Sequence, residues 1–272
     1  MTRKSQLLIL LFTCLSFSMF ALSPAAEYSV LPKDMGLKYE SYKVNDGDKL
    51  SINCWYMPAP GSYKIVIISH DGTRNMGAHL ERAKLFVELG FSVLTYDYRG
   101  FGGSSTFPID PYEFIYKEFF DDLNLVIKDS EKRHGKDLVL YGWGLGASIS
   151  LHQSYLHSSI LGTIADDPYV SFAKLDQKFT AINAAMNTPD LGSPYEPYYF
   201  VKKDLSDDFR GILYLHGSNN LLVSDSDMNE LFERTKYEFK SIHVFKKSAR
   251  ADNFTLNKHE YSRQVYAFAL NL

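Results

Sequence analysis

Apolar and polar positions along the chain follow two periods, one typical of strands and one typical of helices. Residues 38–44 and 50–57 predict two strands, and Asn45-Asp46-Gly47-Asp48 between them is typical of a hairpin turn. The run Lys64–Ser69 is almost continuously apolar and rich in β-branched residues, a pattern that predicts a parallel strand buried on both faces. The chain therefore begins its regular structure with an antiparallel pair followed by a buried strand.

Strand-like and helix-like segments then alternate to the end of the chain. Further strands are predicted at 92–98, 137–142, 161–165, 211–215 and 240–245, and helices at about 77–89, 111–133, from 145, at 224–236 and up to 270. This order predicts an α/β fold with a mostly parallel sheet covered by helices on both faces. One Pro- and aromatic-rich interruption, at about 172–203, predicts a small cap insert in a single domain.

The N-terminus has the pattern of a secretory signal. Arg3 and Lys4 precede the apolar run Leu7–Leu22, and small residues follow at Ser23-Pro24-Ala25-Ala26. The run is shorter than the ~20 residues of a membrane-spanning helix. The pattern predicts a signal peptide at 1–25, a mature domain at 26–272, and export to the periplasm or the cell exterior. An uncleaved membrane anchor and a lipoprotein signal at Cys14 are the alternatives.

Composition and charge limit the kind of protein and the partners that can be expected. With 45% hydrophobic residues and a formal net charge of −3, the chain is globular in composition and has no basic surplus to neutralise phosphates. Nucleic acid is therefore excluded as an expected partner. The two cysteines are Cys14, inside the predicted signal, and Cys54, so no disulfide between them is expected and Cys54 is interpreted as a small buried residue.

Four segments at the ends of predicted strands carry a family resemblance. They are Ile67-Ile68-Ser69-His70-Asp71-Gly72, Tyr96-Asp97-Tyr98-Arg99-Gly100-Phe101-Gly102-Gly103-Ser104, Leu140-Tyr141-Gly142-Trp143-Gly144-Leu145-Gly146 and Leu215-His216-Gly217. Their order and spacing resemble the α/β-hydrolase superfamily, especially its small serine esterase and peptidase-like members. The resemblance covers essentially the whole mature chain. It implies the α/β-hydrolase fold and a site for nucleophilic acyl transfer, with a Ser, an acid and a His in that order.

Each position that the resemblance assigns to the catalytic triad carries an unsuitable residue. Gly144 stands where the family places the nucleophile, and it has no side chain that could attack a carbonyl. Asn220 stands at the acid position and carries no charge. The loop 247–253, where the His is expected, contains none, and Ala251 or Asp252 aligns best. The resemblance therefore implies a serine-hydrolase lineage with a lost triad, a pseudoenzyme.

The oxyanion-binding loop is altered as well. The Leu145 N–H is retained at a predicted helix start, and the second donor is expected from Asp71 or Gly72. Asp71 brings a negative charge towards this site, which weakens catalysis but anchors a hydroxyl or a cation. His70 is interpreted as shaping the loop. The candidate pocket residues are His70, Asp71, Gly72, Trp143, Leu145, Tyr169 and Tyr195.

The remaining candidates favour structural roles. His216 is interpreted as a strand-end residue, Ser148 as lying one turn beyond the nucleophile position, and Asp166 as a surface or capping residue. Five other histidines are expected away from the cleft, namely His79, His134, His152, His157 and His243. No paired His spacing and no phosphate-binding glycine loop are found, so neither a metal nor a cofactor is expected.

Two hypotheses about function follow. The first is an exported, non-catalytic protein whose cleft binds a small-molecule ligand, with no protein partner identified. The second is an active esterase- or peptidase-like hydrolase with a rearranged site built on His70, Asp71 or Asp166. For the first, the aromatic residues of the insert either line a pocket or simply cover the core.

Overall fold

The computed structural model describes residues 22–182, 184–188, 190 and 192–272. Its strands are β1 Ser23–Pro24, β2 Glu40–Asp46, β3 Leu50–Met57, β4 Ile65–Ser69, β5 Thr73–Arg74, β6 Ser92–Tyr96, β7 Leu138–Trp143, β8 Ile160–Asp166, β9 Gly211–Gly217 and β10 Lys240–Phe245. Its α-helices are α1 Leu80–Glu88, α2 Lys117–Arg133, α3 Leu145–Ser154, α4 Phe172–Ala181, α5 Pro197–Phe200, α6 Asp225–Arg234, α7 Asn253–Leu256 and α8 Lys258–Ala269. The predicted signal up to residue 21, with Cys14, lies outside the described residues.

An eight-stranded sheet forms the centre of the fold. Its strand order is β10-β9-β8-β7-β4-β6-β3-β2. Strand β3 pairs antiparallel with both β2 and β6, and the other pairs are parallel. The predicted fold class, a mostly parallel sheet between helices with an antiparallel start, is confirmed.

The central strands are buried, which agrees with their apolar sequences. Every residue of β4, β6, β7, β8 and β9 is buried, as their continuous apolar sequences predict. Alternate residues of a strand face opposite sides, so Ile67 of β4 packs into one core cluster and Ile68 into another. The first cluster includes residues of α2, α3, α4 and α6, and the second includes residues of α1, α7 and α8. Cys54 is buried in the first cluster, as expected.

The predicted helix at 111–133 begins six residues later, at Lys117. Before it, the Asp110 carboxylate and carbonyl accept hydrogen bonds from the N–H groups of Tyr112 and Glu113, which closes a turn. Glu113 also forms an isolated bridge with Asn187. Local turn bonds and this distant bridge therefore replace the first helical turns. Within 172–203 the structure contains α4, α5 and a 3₁₀ turn at Ser193–Tyr195.

The described chain begins inside the fold. Leu22 is 1% exposed, and β1 pairs in parallel with β5. The predicted signal boundary at residue 25 would therefore remove a short segment, residues 22–25, that contacts the domain in this structure. No helix among the described residues has both the length and the apolar character that crossing a membrane requires.

Candidate functional site

A sharp turn joins β7 to α3, at the position the sequence predicts. Gly144 has φ +55° and ψ −119°, a conformation that costs little for glycine alone. Its N–H donates a hydrogen bond to the Asp166 carbonyl at 2.8 Å. A Cβ on Gly146 would lie 2.1 Å from the Ser69 carbonyl oxygen, so α3 starts in direct backbone contact with the end of β4. The turn retains the backbone of a nucleophile elbow and carries no nucleophile.

An arginine occupies the space above this turn. A Cβ on Gly144 would lie 3.1 Å from Nη2 of Arg250 and 3.4 Å from Cβ of Asp71. The same Nη2 donates a hydrogen bond to the Tyr169 hydroxyl at 2.7 Å, and the guanidinium carbon lies 5.8 Å from the Phe114 ring centroid. A guanidinium stays protonated at all ordinary pH values and accepts no proton. The side chain nearest to Gly144 therefore cannot act as a general base.

The other triad positions are used for loop structure. The Asn220 Oδ1 accepts hydrogen bonds from the N–H groups of Leu222 and Val223, at 3.0 and 3.2 Å, and so organises its own turn. Ala251 has φ +68°, and its carbonyl accepts a bond from Arg82. Neither residue supplies a charge or a proton-accepting group directed at Gly144.

His70 is a buried neutral imidazole in the loop after β4. Its ring packs beside Tyr98 and Phe101, and its Nδ1 accepts a hydrogen bond from the Gly72 N–H at 3.2 Å. Burial, together with the neighbouring His79, lowers its pKa to about 3. The Gly72 amide is thereby engaged with His70, so one of the two candidates for the second oxyanion donor is already bonded.

Asp71 is ionised beside this imidazole. The Thr73 hydroxyl donates to its Oδ1 at 2.6 Å. Burial raises the pKa of Asp71, but the charges of Arg250 and His79 and the bond from Thr73 outweigh burial, so the net pKa is lowered. The loop thus places a negative charge next to the turn, as the sequence predicts.

His79 lies against this carboxylate, so the prediction that it lies away from the cleft is wrong. Its Nε2 is 3.9 Å from Oδ1 of Asp71, because a 3₁₀ turn at Met76–His79 folds the chain back over the loop.

Among the described residues, His70, Asp71 and His79 form a group of potential metal ligands whose donor atoms lie within 4.8 Å of one another. Two imidazoles and a carboxylate suit a metal such as zinc. The nearby Arg250 charge opposes a cation there.

A cavity of about 430 Å³ opens beside Asp71 and His79. Trp143 and Arg82 form another part of its wall, and the Arg82 guanidinium lies 4.4 Å from the Trp143 ring centroid. Two of the predicted pocket residues, Asp71 and Trp143, therefore share a cavity. Gly72 and Leu145 lie close to each other under Leu22 instead.

Tyr195 lies elsewhere, which corrects its placement in the predicted pocket. Its ring stacks on His152 at 5.0 Å and also contacts Phe120. His152 is near the end of α3, about 10 Å along the helix axis from Leu145. The aromatic insert therefore covers the α2–α3 side of the core at this point and does not reach the turn.

Asp166 belongs to a buried polar network, so its interpretation as a surface or capping residue is wrong. It is fully buried and accepts hydrogen bonds from Asn253 at 2.7 Å and from the Tyr261 hydroxyl at 2.8 Å, with Arg82 at 3.6 Å. Burial and the adjacent Asp167 raise its pKa. Its oxygens are committed to these structural contacts, and no imidazole in the described part of the chain donates to them.

His216 is held between two carboxylates, in keeping with the structural role predicted for it. Its Nδ1 lies 2.9 Å from Asp167 and its Nε2 3.0 Å from Asp225. Burial lowers the pKa of His216, but the hydrogen bonds and charges of the two carboxylates outweigh burial and the net pKa is raised.

We therefore expect the stabilisation from His216 to depend on pH. Because the folded-state pKa is raised, the contribution is complete below the unfolded value of about 6.5 and is lost as pH rises through the folded value. His216→Gln should reduce the free energy of unfolding more at about pH 5.5 than at about pH 9. Urea unfolding of both chains at each pH measures the difference. An equal loss at both values would contradict the charged state of His216.

Comparisons with known proteins agree with the observed fold. Residues 61–188 match the family described as serine aminopeptidase, S33. The uncharacterized protein YqkD of Bacillus subtilis is 26% identical over 228 residues, which are 76% of this chain and 71% of that protein. The esterase Pf2001 of Pyrococcus furiosus superimposes with a TM-score of 0.75 at 19% identity, covering 93% of this chain and 97% of the esterase. The α/β hydrolase GrgF of Penicillium superimposes with a TM-score of 0.66 at 16% identity, covering 85% and 98%.

The sheet order, the turn after β7 and these matches define the fold. The chain has the α/β-hydrolase fold, as the resemblance in its sequence predicts. It is similar to the S33 family over a little less than half of its length, and it shares its fold with known esterases.

Proposed function

We propose that this protein is an exported, non-catalytic α/β-hydrolase-fold protein whose cleft binds a ligand. The observation that carries the proposal is the pair Gly144 and Arg250, in which a fixed guanidinium lies 3.1 Å from the position a side chain on Gly144 would take. In an acyl-transfer site that space belongs to the nucleophile and its base. Here it holds a cation that can neither attack a carbonyl nor accept a proton.

The surroundings support the loss of catalysis. The Gly72 amide is bonded to His70, and the Asp71 carboxylate lies beside the turn. A negative charge at this place raises the energy of the oxyanion that acyl transfer creates. A replacement mechanism on Asp71, His70 or Asp166 lacks an effective base. His70 is a weak base, because its pKa is lowered to about 3 and its Nδ1 already accepts a hydrogen bond from Gly72. The lowered pKa of Asp71 makes its carboxylate a weak base as well, and Asp166 is bonded within the core.

Binding is supported by the cavity beside Asp71, Trp143 and Arg82. Its volume of about 430 Å³ is within the range of small-molecule sites. An ionised carboxylate and an indole face give it one polar anchor and one apolar wall. A ligand with a hydroxyl or cationic group and an apolar body fits this chemistry.

The proposal includes export because residues 1–25 have the sequence pattern of a secretory signal. The two cations, the apolar run and the small residues near Ala25 support cleavage by a signal peptidase, with an anchored or lipidated N-terminus as the alternatives. N-terminal sequencing of the secreted or periplasmic product tests this part. A product that retains residue 1 would contradict it.

The catalytic part is tested by Gly144→Ser. We expect no turnover of short-chain nitrophenyl esters or aminoacyl amides and no labelling by a fluorophosphonate probe, because no base is directed at the new hydroxyl. We also expect the variant to lose about 1–3 kcal/mol of unfolding free energy through strain at this φ. Gly90→Ser is a matched control, since Gly90 also has a positive φ but no atom within 4 Å of its Cβ position.

Two results would contradict the proposal. Esterase activity in Gly144→Ser would mean that a base stands within reach of residue 144. Labelling of the unmodified protein at one serine would favour the second hypothesis, an active hydrolase with a rearranged site.

A further inference from the structure

The chain's own residues 22–25 occupy a groove beside the turn. The Ser23 N–H donates to the Gly72 carbonyl at 3.0 Å, and the Ala25 N–H donates to the Arg74 carbonyl at 2.9 Å. In return, the Ala25 carbonyl accepts from the Gly102 N–H at 3.0 Å. These are main-chain contacts of an added parallel strand, and they place no requirement on the side chains of Ser23 and Pro24, which are exposed.

One side chain of this segment enters the protein. Leu22 is 1% exposed, and its Cδ2 lies 2.5 Å from where a Cβ on Gly72 would be. The same Cβ position is 3.2 Å from Cδ2 of Leu145. The groove therefore has an aliphatic slot formed over Gly72 and Leu145, next to a strand edge that offers backbone acceptors.

The residues that follow this segment are held to the walls of the groove by contacts of their own. The Tyr28 hydroxyl bonds to Asp97 and accepts from Asn53 and from the Gly103 N–H, both at 2.7 Å. The Asn75 amide donates to the Glu27 carbonyl at 2.7 Å. Removal of the chain up to Ala25 therefore leaves the following residues tied to the walls of the groove.

We propose that this groove is a peptide-binding site. When residues 22–25 are removed or displaced, it takes an extended peptide from another chain, aligned in parallel with β5 and carrying an aliphatic side chain in the Leu22 slot. Strand addition of this kind draws affinity from main-chain hydrogen bonds and selectivity from a single side-chain pocket. The inference goes beyond the proposed function, since the groove over Gly72 and Leu145 is separate from the cavity lined by Asp71, Trp143 and Arg82.

In the intact chain, residues 22–25 compete with any free peptide for the groove. A segment linked to its site by a short stretch of chain acts at an effective concentration in the millimolar range. A free peptide at micromolar concentration therefore cannot displace it. Displacement of Leu22 from within the full-length chain should expose the site.

The experiment uses full-length Leu22→Asp, in which a buried aliphatic group becomes a charge that leaves the slot. Its probe is a fluorescently labelled peptide with the sequence of residues 21–26, Ala-Leu-Ser-Pro-Ala-Ala, measured by fluorescence anisotropy. We expect the peptide to bind this variant roughly 10- to 100-fold more tightly than the unmodified chain. Circular dichroism establishes that the variant is folded. Ser23→Pro, which removes only the N–H bonded to Gly72, is a second and milder way to displace the segment.

Matched peptides test the mode of binding without altering the protein. A peptide with Asp in place of its Leu, and one N-methylated at the alanine equivalent to Ala25, should both lose binding. Equal binding of all three peptides, or no binding to either folded variant, would overturn the inference and identify residues 22–25 as a purely structural part of the chain. Cleavage of the peptide by Leu22→Asp would instead overturn the proposed function while leaving the peptide site in place.

Discussion

Replacement of Gly146 by alanine is expected to lower the free energy of unfolding by more than about 4 kcal/mol. The added Cβ would lie 2.1 Å from the Ser69 carbonyl oxygen and 2.7 Å from that of His70, and these are backbone atoms at the end of a central strand. Relief of the collision requires α3 to move away from β4, which opens a cavity in the core. Urea denaturation followed by circular dichroism measures the loss.

Gly36→Ala is the control for this prediction. Gly36 has φ +75° and no atom within 4 Å of its Cβ position, so its replacement adds backbone strain of about 1–2 kcal/mol without a collision. Similar losses in the two variants would show that α3 has more freedom above β4 than this contact allows.

Asp166→Ala is expected to destabilise the fold by about 3–5 kcal/mol. The substitution takes away an acceptor from the Asn253 amide, which keeps a bond to Asp167, and from the Tyr261 hydroxyl. Arg82 also becomes a buried cation that has lost its carboxylate, and its remaining contacts to the Tyr141 hydroxyl and the Ala251 carbonyl do not neutralise it. Denaturation curves at neutral pH provide the measurement.

Two further variants test the expected loss for Asp166→Ala. Asp166→Asn keeps one acceptor, and because the pKa of Asp166 is raised, the neutral amide imitates a state that burial already favours, so we expect a smaller loss. Asp204→Ala removes a carboxylate that is 82% exposed and pairs with the exposed Lys236, and we expect a loss of less than about 1 kcal/mol. A loss for Asp166→Ala no larger than that for Asp204→Ala would mean that the network contributes little.

The sheet could be predicted from sequence because its signals are local. Strands β3 and β10 have the predicted bounds, since the hairpin turn and the apolar alternation fix them without help from distant residues. The turn at Gly144 was predictable for the same reason, because flanking glycines at 142 and 146 are needed wherever a helix leaves a strand end so abruptly. The start of α2 was not, since residue 113 pairs with residue 187.

The contents of the site could be predicted only in part. The sequence itself shows unsuitable residues at the three positions expected to form the triad. The position of Arg250 instead depends on how its loop folds over Gly144, and Tyr169 holds it there from another strand end. The approach of His79 to Asp71 depends on a short 3₁₀ turn. A cation in the loop that should carry the base was the available signal for Arg250.

The strand order also determines when the sheet can close. Strand β4 lies between β6 and β7, and β7 follows it in the chain only after α1, β6 and α2. The hairpin of β2 and β3 can form from neighbouring residues, whereas the parallel centre requires contacts across long stretches of chain, each with a cost in loop-closure entropy. During synthesis β4 therefore lacks one of its two neighbouring strands until residue 143 has emerged, and each later parallel strand in turn waits for the next one.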